Sequence, residues 1–328
     1  MDQKTLRQVG VKIGHFTDLR NATGTTVFLT EKGADIGMDI RGSSTGTFNT
    51  ESYGNPTSAR KLVHGIVLTG GSTYGLEACF GVLEYLEQNH IGAPYANKIV
   101  PGVTGAVLYD FGIGNEVKPQ KKDGHQACVN ASYDEITEGS IGAGTGATIG
   151  KWFKGKRMKG GFGTAETWIN KNIVVTAFVV TNALGDAVNP ATGSFYGDEG
   201  RYLLAFPENV VQRTTLFRTH PTNESHTTLA VIATNLSLNR PSLTKIAQMA
   251  HDGMARSIFP VHTSFDGDMT FAISSHNGER KNIDRPDSYL IDLVGIAASD
   301  ALMKAIKQSI ITADSLFNVP SYKDLYNK

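Results

Sequence analysis

Only two cysteines, Cys79 and Cys128, occur among 328 residues, and neither belongs to a C-x-x-C pair. That excludes a disulfide framework and a thiolate zinc or redox centre, so both are expected as reduced core residues. Net charge is missing too: 31 Lys and Arg balance 31 Asp and Glu, and no basic run occurs. Nucleic acid and anionic membranes both require a positive field, so neither is expected as a partner. No apolar run reaches the roughly 18 residues of a membrane span. The opening Met-Asp-Gln-Lys-Thr-Leu-Arg has no apolar core and cleavage site of a secretory leader, which sets the expectation of a cytoplasmic protein. No repeat of fixed period is found, against a solenoid.

What remains is the balance of a soluble globular protein, with 40% hydrophobic and 19% charged residues. Glycine is in excess, at 36 residues, clustered beside strand and helix patterns where it signals tight turns and close backbone approach. Short strand patterns at Val11 to Ile13, Thr25 to Leu29 and Asp39 to Arg41 read as a meander. A strand over Gly65 to Thr69 runs through Gly70-Gly-Ser72 into a helix from Tyr74 to Gln88. Further strands are expected at Gly105 to Asp110, Ile173 to Asn182, Thr227 to Asn235 and from Met269, with helices over Ser242 to Phe259 and Tyr289 to Ile311. Gly295-x-x-Ala298 in the last helix points to close helix packing. The glycine-rich stretch Gly139 to Lys151 reads as tightly packed backbone, and the polar stretch Thr214 to His226 as an exposed linker. Strands and helices mix without regular βαβ alternation, which favours a layered α+β architecture.

Several places have the residue types for chemistry, each with a plainer alternative. Gly70-Gly-Ser-Thr-Tyr-Gly75 lies where a phosphate could be cradled, but it matches neither the P-loop nor the dinucleotide spacing, so it also reads as a turn. His251 and His262 are eleven apart rather than the four that place two ligands on one helix face, consistent with structural or surface roles. Asp266-Gly-Asp268 pairs two carboxylates before a strand and reads as a turn, a cation site or a catalytic pair. It does not fit the twelve-residue EF-hand loop. Lys151 ends a run of small residues, from which its ammonium could either reach a buried acceptor or remain solvated. At Glu224-Ser-His-Thr227 a polar stretch meets a core strand. Were the His226–Thr227 bond cut, Thr227 would carry both a hydroxyl nucleophile and an α-amine of pKa about 7.7–8, a usable general base. The alternative is a threonine pair that opens a strand.

Thr227-Thr-Leu-Ala-Val-Ile-Ala-Thr-Asn235, Gln248-Met-Ala-His-Asp-Gly-Met-Ala-Arg256 and His262-Thr-Ser-Phe-Asp-Gly-Asp-Met-Thr-Phe-Ala272 together resemble the self-processing aminopeptidase family. That family includes L-aminopeptidase/D-Ala-esterase-amidases, β-peptidyl aminopeptidases and nylon-oligomer endohydrolases. The likeness continues in Leu68-Thr-Gly-Gly-Ser-Thr-Tyr-Gly-Leu-Glu77, Ala106-Val-Leu-Tyr-Asp110, Gly142-Ala-Gly-Thr-Gly146 with Lys151, and Val179-Val-Thr-Asn182, and so spans nearly the whole chain.

The resemblance implies a four-layer αββα sandwich, like N-terminal-nucleophile hydrolases but with different strand connections. It implies one domain over 1–328 that cuts itself into an α fragment, 1–226, and a β fragment, 227–328. The family's spacing from nucleophile to Asn or Asp matches Thr227 to Asn235, favouring Thr227 over Thr228 and Ser225. By position in matching motifs, Asn182 and Tyr109 correspond to oxyanion partners, Lys151 to a lysine near the nucleophile, and Asp266 and Asp268 to a carboxylate pair that orients it. His226 stands where relatives usually carry Asn or Gly, which leads one to expect slow or incomplete processing, or a proton relay through the imidazole. The implied activity is hydrolysis of short peptides or amides, 6-aminohexanoate oligomers among them, through an acyl-enzyme without metal or organic cofactor, in a homo-oligomer, commonly a tetramer. An ornithine-acetyltransferase-like acyl transferase and an uncut binding protein of the same fold are the alternatives.

Overall fold

The computed structural model describes residues 1–59, 62–134, 136–152, 157–189, 194–195, 226–278 and 288–326. In chain order the helices are α1 (Gln3–Val9), α2 (Thr50–Gly54), α3 (Glu77–Gln88), α4 (Lys121–Val129), α5 (Arg240–Ala255), α6 (Ser288–Ile311) and α7 (Tyr322–Tyr326). The strands are β1 (Lys12–Asp18), β2 (Thr23–Ile40), β3 (Thr47–Phe48), β4 (Leu62–Thr69), β5 (Ala93–Tyr95), β6 (Lys98–Val100), β7 (Val103–Val107), β8 (Thr148–Ile149), β9 (Met158–Lys159), β10 (Gly161–Asn170), β11 (Ile173–Asn182), β12 (Thr227–Thr234) and β13 (Met269–Ser275).

Hydrogen bonds join the main strands in the order β10-β11-β12-β13-β2-β4-β7-β3, with β1 also on β2. Most pairs are antiparallel, but β12 and β13, separated by α5, and β4 and β7, separated by α3, run parallel. The long β2 belongs to both halves of this ladder. Its first part pairs with β1 and β4, its second part with β13, and the register shifts between Leu29 and Ala34, where Gly33 takes φ +85°. The expected meander is therefore corrected. Thr25–Leu29 and the residues from Asp39 lie on one bent strand, because a glycine and a register shift turn the chain without ending it.

Alternate side chains along each strand belong to different cores, and this periodicity shows the layers. On β11, Val175, Ala177 and Val179 pack with Leu243, Ile246 and Ala250 of α5 and Ala298 and Leu302 of α6. Val174, Phe178 and Val180 face the other way, toward Phe28, Ile66 and Leu68 of the opposing strands. There Phe28 sits 5.3 Å from Phe178 and 6.5 Å from Phe162 between ring centroids. On the far side Val27, Leu29 and Val67 meet Cys79, Val82 and Leu86 of α3 and Cys128 of α4. Three cores between four layers make an αββα sandwich. Both cysteines are buried free thiols, as expected, and burial pushes each up to about 12.

The strand patterns at β11, β12 and β13 and the two long helices are found where the sequence places them, to within a few residues. The segment expected as a strand over Gly105 to Asp110 ends at Val107, so Tyr109 and Asp110 lie in the loop beyond. The helix expected from Tyr74 opens as a 3-10 turn, Ser72–Leu76, before α3. Among the described residues no helix is long and apolar enough to cross a membrane.

Close approach of α6 to the sheet depends on Gly163 of β10, where an added Cβ would stand 2.3 Å from both Ala305 O and Ser309 N. At Gly295, within the Gly-x-x-Ala pattern, the nearest neighbour is the Met249 thioether, at 2.3 Å. Backbone cannot yield as a thioether can. Gly163→Ala is thus expected to cost about 1–3 kcal/mol in urea unfolding, and Gly295→Ala distinctly less. Equal losses would show that the helix moves freely on the sheet.

Candidate active site

Two strand registers bring the site together. Antiparallel pairing sets Asn182, the last residue of β11, opposite Thr227, the first of β12. Parallel pairing sets β13 on the other side of β12, and an isolated bridge extends it backwards from His226 to Asp266. Thr227 therefore lies between Asn182 and the Asp266-Gly-Asp268 segment. It is 3% exposed.

The Thr227 hydroxyl donates to the carbonyl oxygen of His226, the residue before it. The same oxygen accepts the Gly267 N–H at 2.9 Å. A Cβ at Gly267 would stand 2.6 Å from Thr227 Oγ1, so the absent side chain leaves the hydroxyl its space. His226 is fully buried, contrary to the exposed linker expected over Thr214 to His226; the rest of that stretch, 214–225, lies outside the described residues. Its polar neighbours in sequence misled, because the site encloses this residue through its bridge to Asp266. Neither His226 ring nitrogen has a hydrogen-bond partner among the described residues. Burial, then the charges of Lys151 and Arg157, drive its imidazole far below the ordinary value, so the ring is neutral.

Lys151 is buried and reaches an acceptor, one of the two outcomes its position allowed. Its ammonium donates to Asn182 Oδ1 at 2.9 Å and to Asn182 O at 3.1 Å. Asn182 Oδ1 also accepts the Thr148 N–H at 2.9 Å, while Nδ2 donates to Tyr109 O at 3.0 Å. Two donors on one side and a carbonyl on the other fix the amide's orientation. Tyr109 therefore meets Asn182 through its backbone, and its ring packs edge-on against Phe111, 5.2 Å away. Tyr109, Thr148, Lys151 and Arg157 border a narrow cleft of about 10 Å³ with Asp110, Gly112 and Gly146.

Asp268 Oδ1 accepts the Thr228 N–H at 2.7 Å, and Oδ2 accepts the backbone N–H of His262 at 3.1 Å and its Nδ1 at 2.8 Å. Asp266 accepts the Thr263 N–H at 2.9 Å and its hydroxyl at 2.7 Å. Burial, then the neighbouring Asp268, raises the Asp266 carboxyl to about 6. The pair thus holds the strand beside Thr227 and the loop around it, while the Thr227 hydroxyl bonds neither carboxylate. His251 and His262, distant in sequence terms, meet edge-to-face at 4.9 Å. The Gly70 segment is a turn, its Gly71 N–H given to Asp110 Oδ1 at 2.8 Å.

Sequence reasoning missed Gly267 and a second buried lysine. Lys159 donates to the carbonyls of Thr145 at 2.6 Å and Ala147 at 2.9 Å, on the turn that carries Thr148 toward Asn182. Burial lowers its ammonium to about 7 and raises the nearby Asp110 carboxyl to about 6. Lys159 was harder to single out than Lys151, because it follows Lys154, Lys156 and Arg157 closely and only Gly160 and Gly161 after it hint at close packing. Among the described residues no cluster of three or more His, Cys, Asp or Glu is placed to hold a metal.

A buried hydroxyl with a held carbonyl, a fixed amide, a cation and two carboxylates around it is equipped for acyl transfer. The comparisons agree with that chemistry. Residues 8–321 match the model of Peptidase family S58. An uncharacterized aminopeptidase of Mycobacterium leprae is 33% identical, with 97% of this chain and 92% of that protein covered. A 6-aminohexanoate-oligomer endohydrolase of Kocuria sp. is 31% identical over 81% of this chain and 73% of its own length. The structure of the L-aminopeptidase D-Ala-esterase/amidase from Ochrobactrum anthropi, described as a variant of the Ntn-hydrolase fold, superposes with TM-score 0.70 at 17% identity, covering 97% of this chain and 89% of that one. With a held carbonyl beside a buried threonine and a family match over almost its full length, the chain belongs to Peptidase family S58 and is a hydrolase acting on peptide or amide bonds.

Proposed function

We propose that the chain is a self-processing amidohydrolase whose nucleophile is an N-terminal threonine, Thr227, freed by scission of the His226–Thr227 bond. The observation that supports it most is the shared carbonyl: His226 O accepts both the Thr227 hydroxyl and the Gly267 N–H. The hydroxyl is thus already in van der Waals range of the bond it would attack, and the Gly267 N–H is aimed at the oxygen on which charge would develop.

In the first step Thr227 Oγ bonds to the His226 carbonyl carbon, the peptide C–N bond breaks, and the hydroxyl proton passes to the departing nitrogen. An ester links His226 to Thr227, and water hydrolyses it to a His226 carboxylate and a free hydroxyl. The two fragments, 1–226 and 227–328, stay together because β12 remains paired with β11 and β13 with β2. In turnover the new α-amine takes the Thr227 hydroxyl proton as Oγ attacks the substrate carbonyl, then gives it to the leaving amine. Water releases the acyl group. The second N–H of Asn182 Nδ2 serves the substrate oxyanion, and Tyr109 orients that amide through its carbonyl. Lys151 holds the Asn182 amide in place, and its positive charge favours the neutral form of the α-amine. Asp266 and Asp268 hold the loop and strand that position the nucleophile.

Short peptides and amides are the substrate class, 6-aminohexanoate oligomers among them, by likeness to the relatives of that activity. A homo-oligomer, a tetramer of cut protomers, is proposed from the motif resemblance alone.

The purified protein should run as two fragments, the smaller beginning Thr-Thr-Leu-Ala-Val. Thr227→Ala should remain one band and lose at least about 10⁴-fold of its hydrolysis of an aminoacyl p-nitroanilide; wild-type activity in that variant would refute the assignment. Lys151→Met is expected to slow cutting and to lower kcat by about 10²-fold, the scale of a misplaced catalytic group, and unchanged rates for both would remove the lysine from the mechanism. Gly267→Ala should fold, by circular dichroism, yet persist as uncut precursor in intact-mass spectra. Normal cutting there would show that the hydroxyl does not need the space that the absent side chain leaves.

A further inference from the structure

Three donors converge on Asp268, and only one belongs to the strand of the nucleophile. Thr228 N–H holds Oδ1, while the backbone N–H and Nδ1 of His262 both hold Oδ2. An ionised carboxylate only accepts, so Nδ1 carries the proton and Nε2 is left as the other nitrogen, buried and without a partner among the described residues. His262 also takes φ +56°, a left-handed conformation unusual for a residue with a side chain. This geometry is held by His251 of α5, which packs its ring edge-to-face on His262 and turns its own Nε2 to Asp39 O at 3.1 Å. Burial pushes the His251 imidazole below its ordinary value, so it supports the His262 ring without adding charge.

We infer that His262 is a positioning residue for the amino end of Thr227: by giving Oδ2 of Asp268 two donors, it weakens that carboxylate's hold on the amine as an ammonium. This rests on the N-terminal-threonine reading above. Asp268 is one residue from the nucleophile through Thr228; its Oδ2 is filled by two donors and its Oδ1 holds one. Remove the imidazole donor, and Oδ2 has a lone pair free for a nearby cation. A carboxylate that binds the ammonium raises the amine's pKa, and the amine works only when neutral. The rising limb of kcat against pH must then move to higher pH.

Among the described residues few groups face this arrangement, and the cut adds one more acceptor, the carboxylate of His226. Asp266 lies on the same loop, His251 approaches from α5, and Asp39 from β2 is ion-paired to Arg41 at 2.6 Å. Lys151, bonded to Asn182, lies on the opposite side of Thr227, and the neutral His226 bridges to Asp266. None of these replaces the donor that His262 gives, since Asp266 and Asp39 are acceptors and His251 turns its Nε2 to Asp39 O.

Two substitutions separate donor from packing. His262→Asn keeps an N–H near the place of Nδ1, loses the ring, and suits the left-handed backbone. His262→Phe keeps the ring against His251 and loses the donor. Both are compared with the wild type as purified, cut enzyme, with rates divided by the fraction of chains that begin at Thr227. The expected result is a rising limb displaced upward by about half a unit to one unit in the Phe variant and at the wild-type position in the Asn variant. A wild-type limb in the Phe variant, or a displaced limb in the Asn variant, overturns the inference. Should the Phe variant fail to fold, His262→Gly, which lacks the donor and suits the left-handed backbone, takes its place: a displaced limb is expected, and a wild-type limb overturns the inference. A wild-type enzyme that is active without any chain starting at Thr227 would instead overturn the underlying reading, and the two failures are therefore distinct.

Discussion

The position of Thr227 depends on the registers of three adjacent strands. β12 is buried along its full length and lies between β11 and β13. A slip of one residue would exchange Leu229, Val231 and Ala233 with Ala230 and Ile232, moving each side chain into the wrong core. The core therefore specifies the register, and the register specifies that Asn182 and Asp266 flank the ends of residues 226 and 227. No separate device is needed to align the site; its alignment has the same cause as the stability of the sandwich.

That placement has a cost, since it carries charge into the interior. Lys151, Lys159, Asp110, Asp266 and Asp268 are all buried. A buried charge is tolerated only when its hydrogen-bonding capacity is met, and here backbone groups meet much of it: the carbonyls of Thr145, Ala147 and Asn182 for the lysines, and the N–H groups of Gly71, Thr228, His262 and Thr263 for the acids. Backbone can approach this closely only where side chains are missing. At Gly146 an added Cβ would stand 2.1 Å from Ala22 O and 2.6 Å from Asp110 Cβ. The glycine-rich stretch and the buried ions are two aspects of one requirement, because the first makes room for the partners of the second.

What the sequence made legible follows from the range of the interactions involved. The β-branched density of Ile173 to Asn182 and the helical spacing over Ser242 to Phe259 are local signals, and both segments are found as read. Lys151 could be singled out because it ends a glycine-rich run in which most side chains are absent. The bent β2 was not legible, since a register shift is defined only against partner strands β4 and β13, far away in sequence. His226 was misread for a similar reason: a polar stretch announces exposure, while its burial comes from pairing with Asp266. His251 and His262 were judged by ligand spacing along one helix, although the turn after α5 brings them together by a route that spacing does not describe. Gly267 lay unnoticed between two carboxylates that drew attention to themselves.

The same registers bear on what a cut at residue 226 would change. Such a cut breaks one covalent bond in a region where neither end is free to leave. The new carboxyl end would keep the Gly267 N–H on its oxygen, and the strand that follows the new amino end would keep the Thr228 N–H on Asp268. Each fragment also contributes strands to the same ladder, β11 and β2 from one and β12 and β13 from the other. Separating the fragments would expose the Leu229, Val231, Met269 and Phe271 side chains of the middle core, and burial of each such group is worth about 1.5–3 kcal/mol. Such a scission would create an amine where the fold already holds its surroundings, and the chemistry would gain a base without any rearrangement of the sheet.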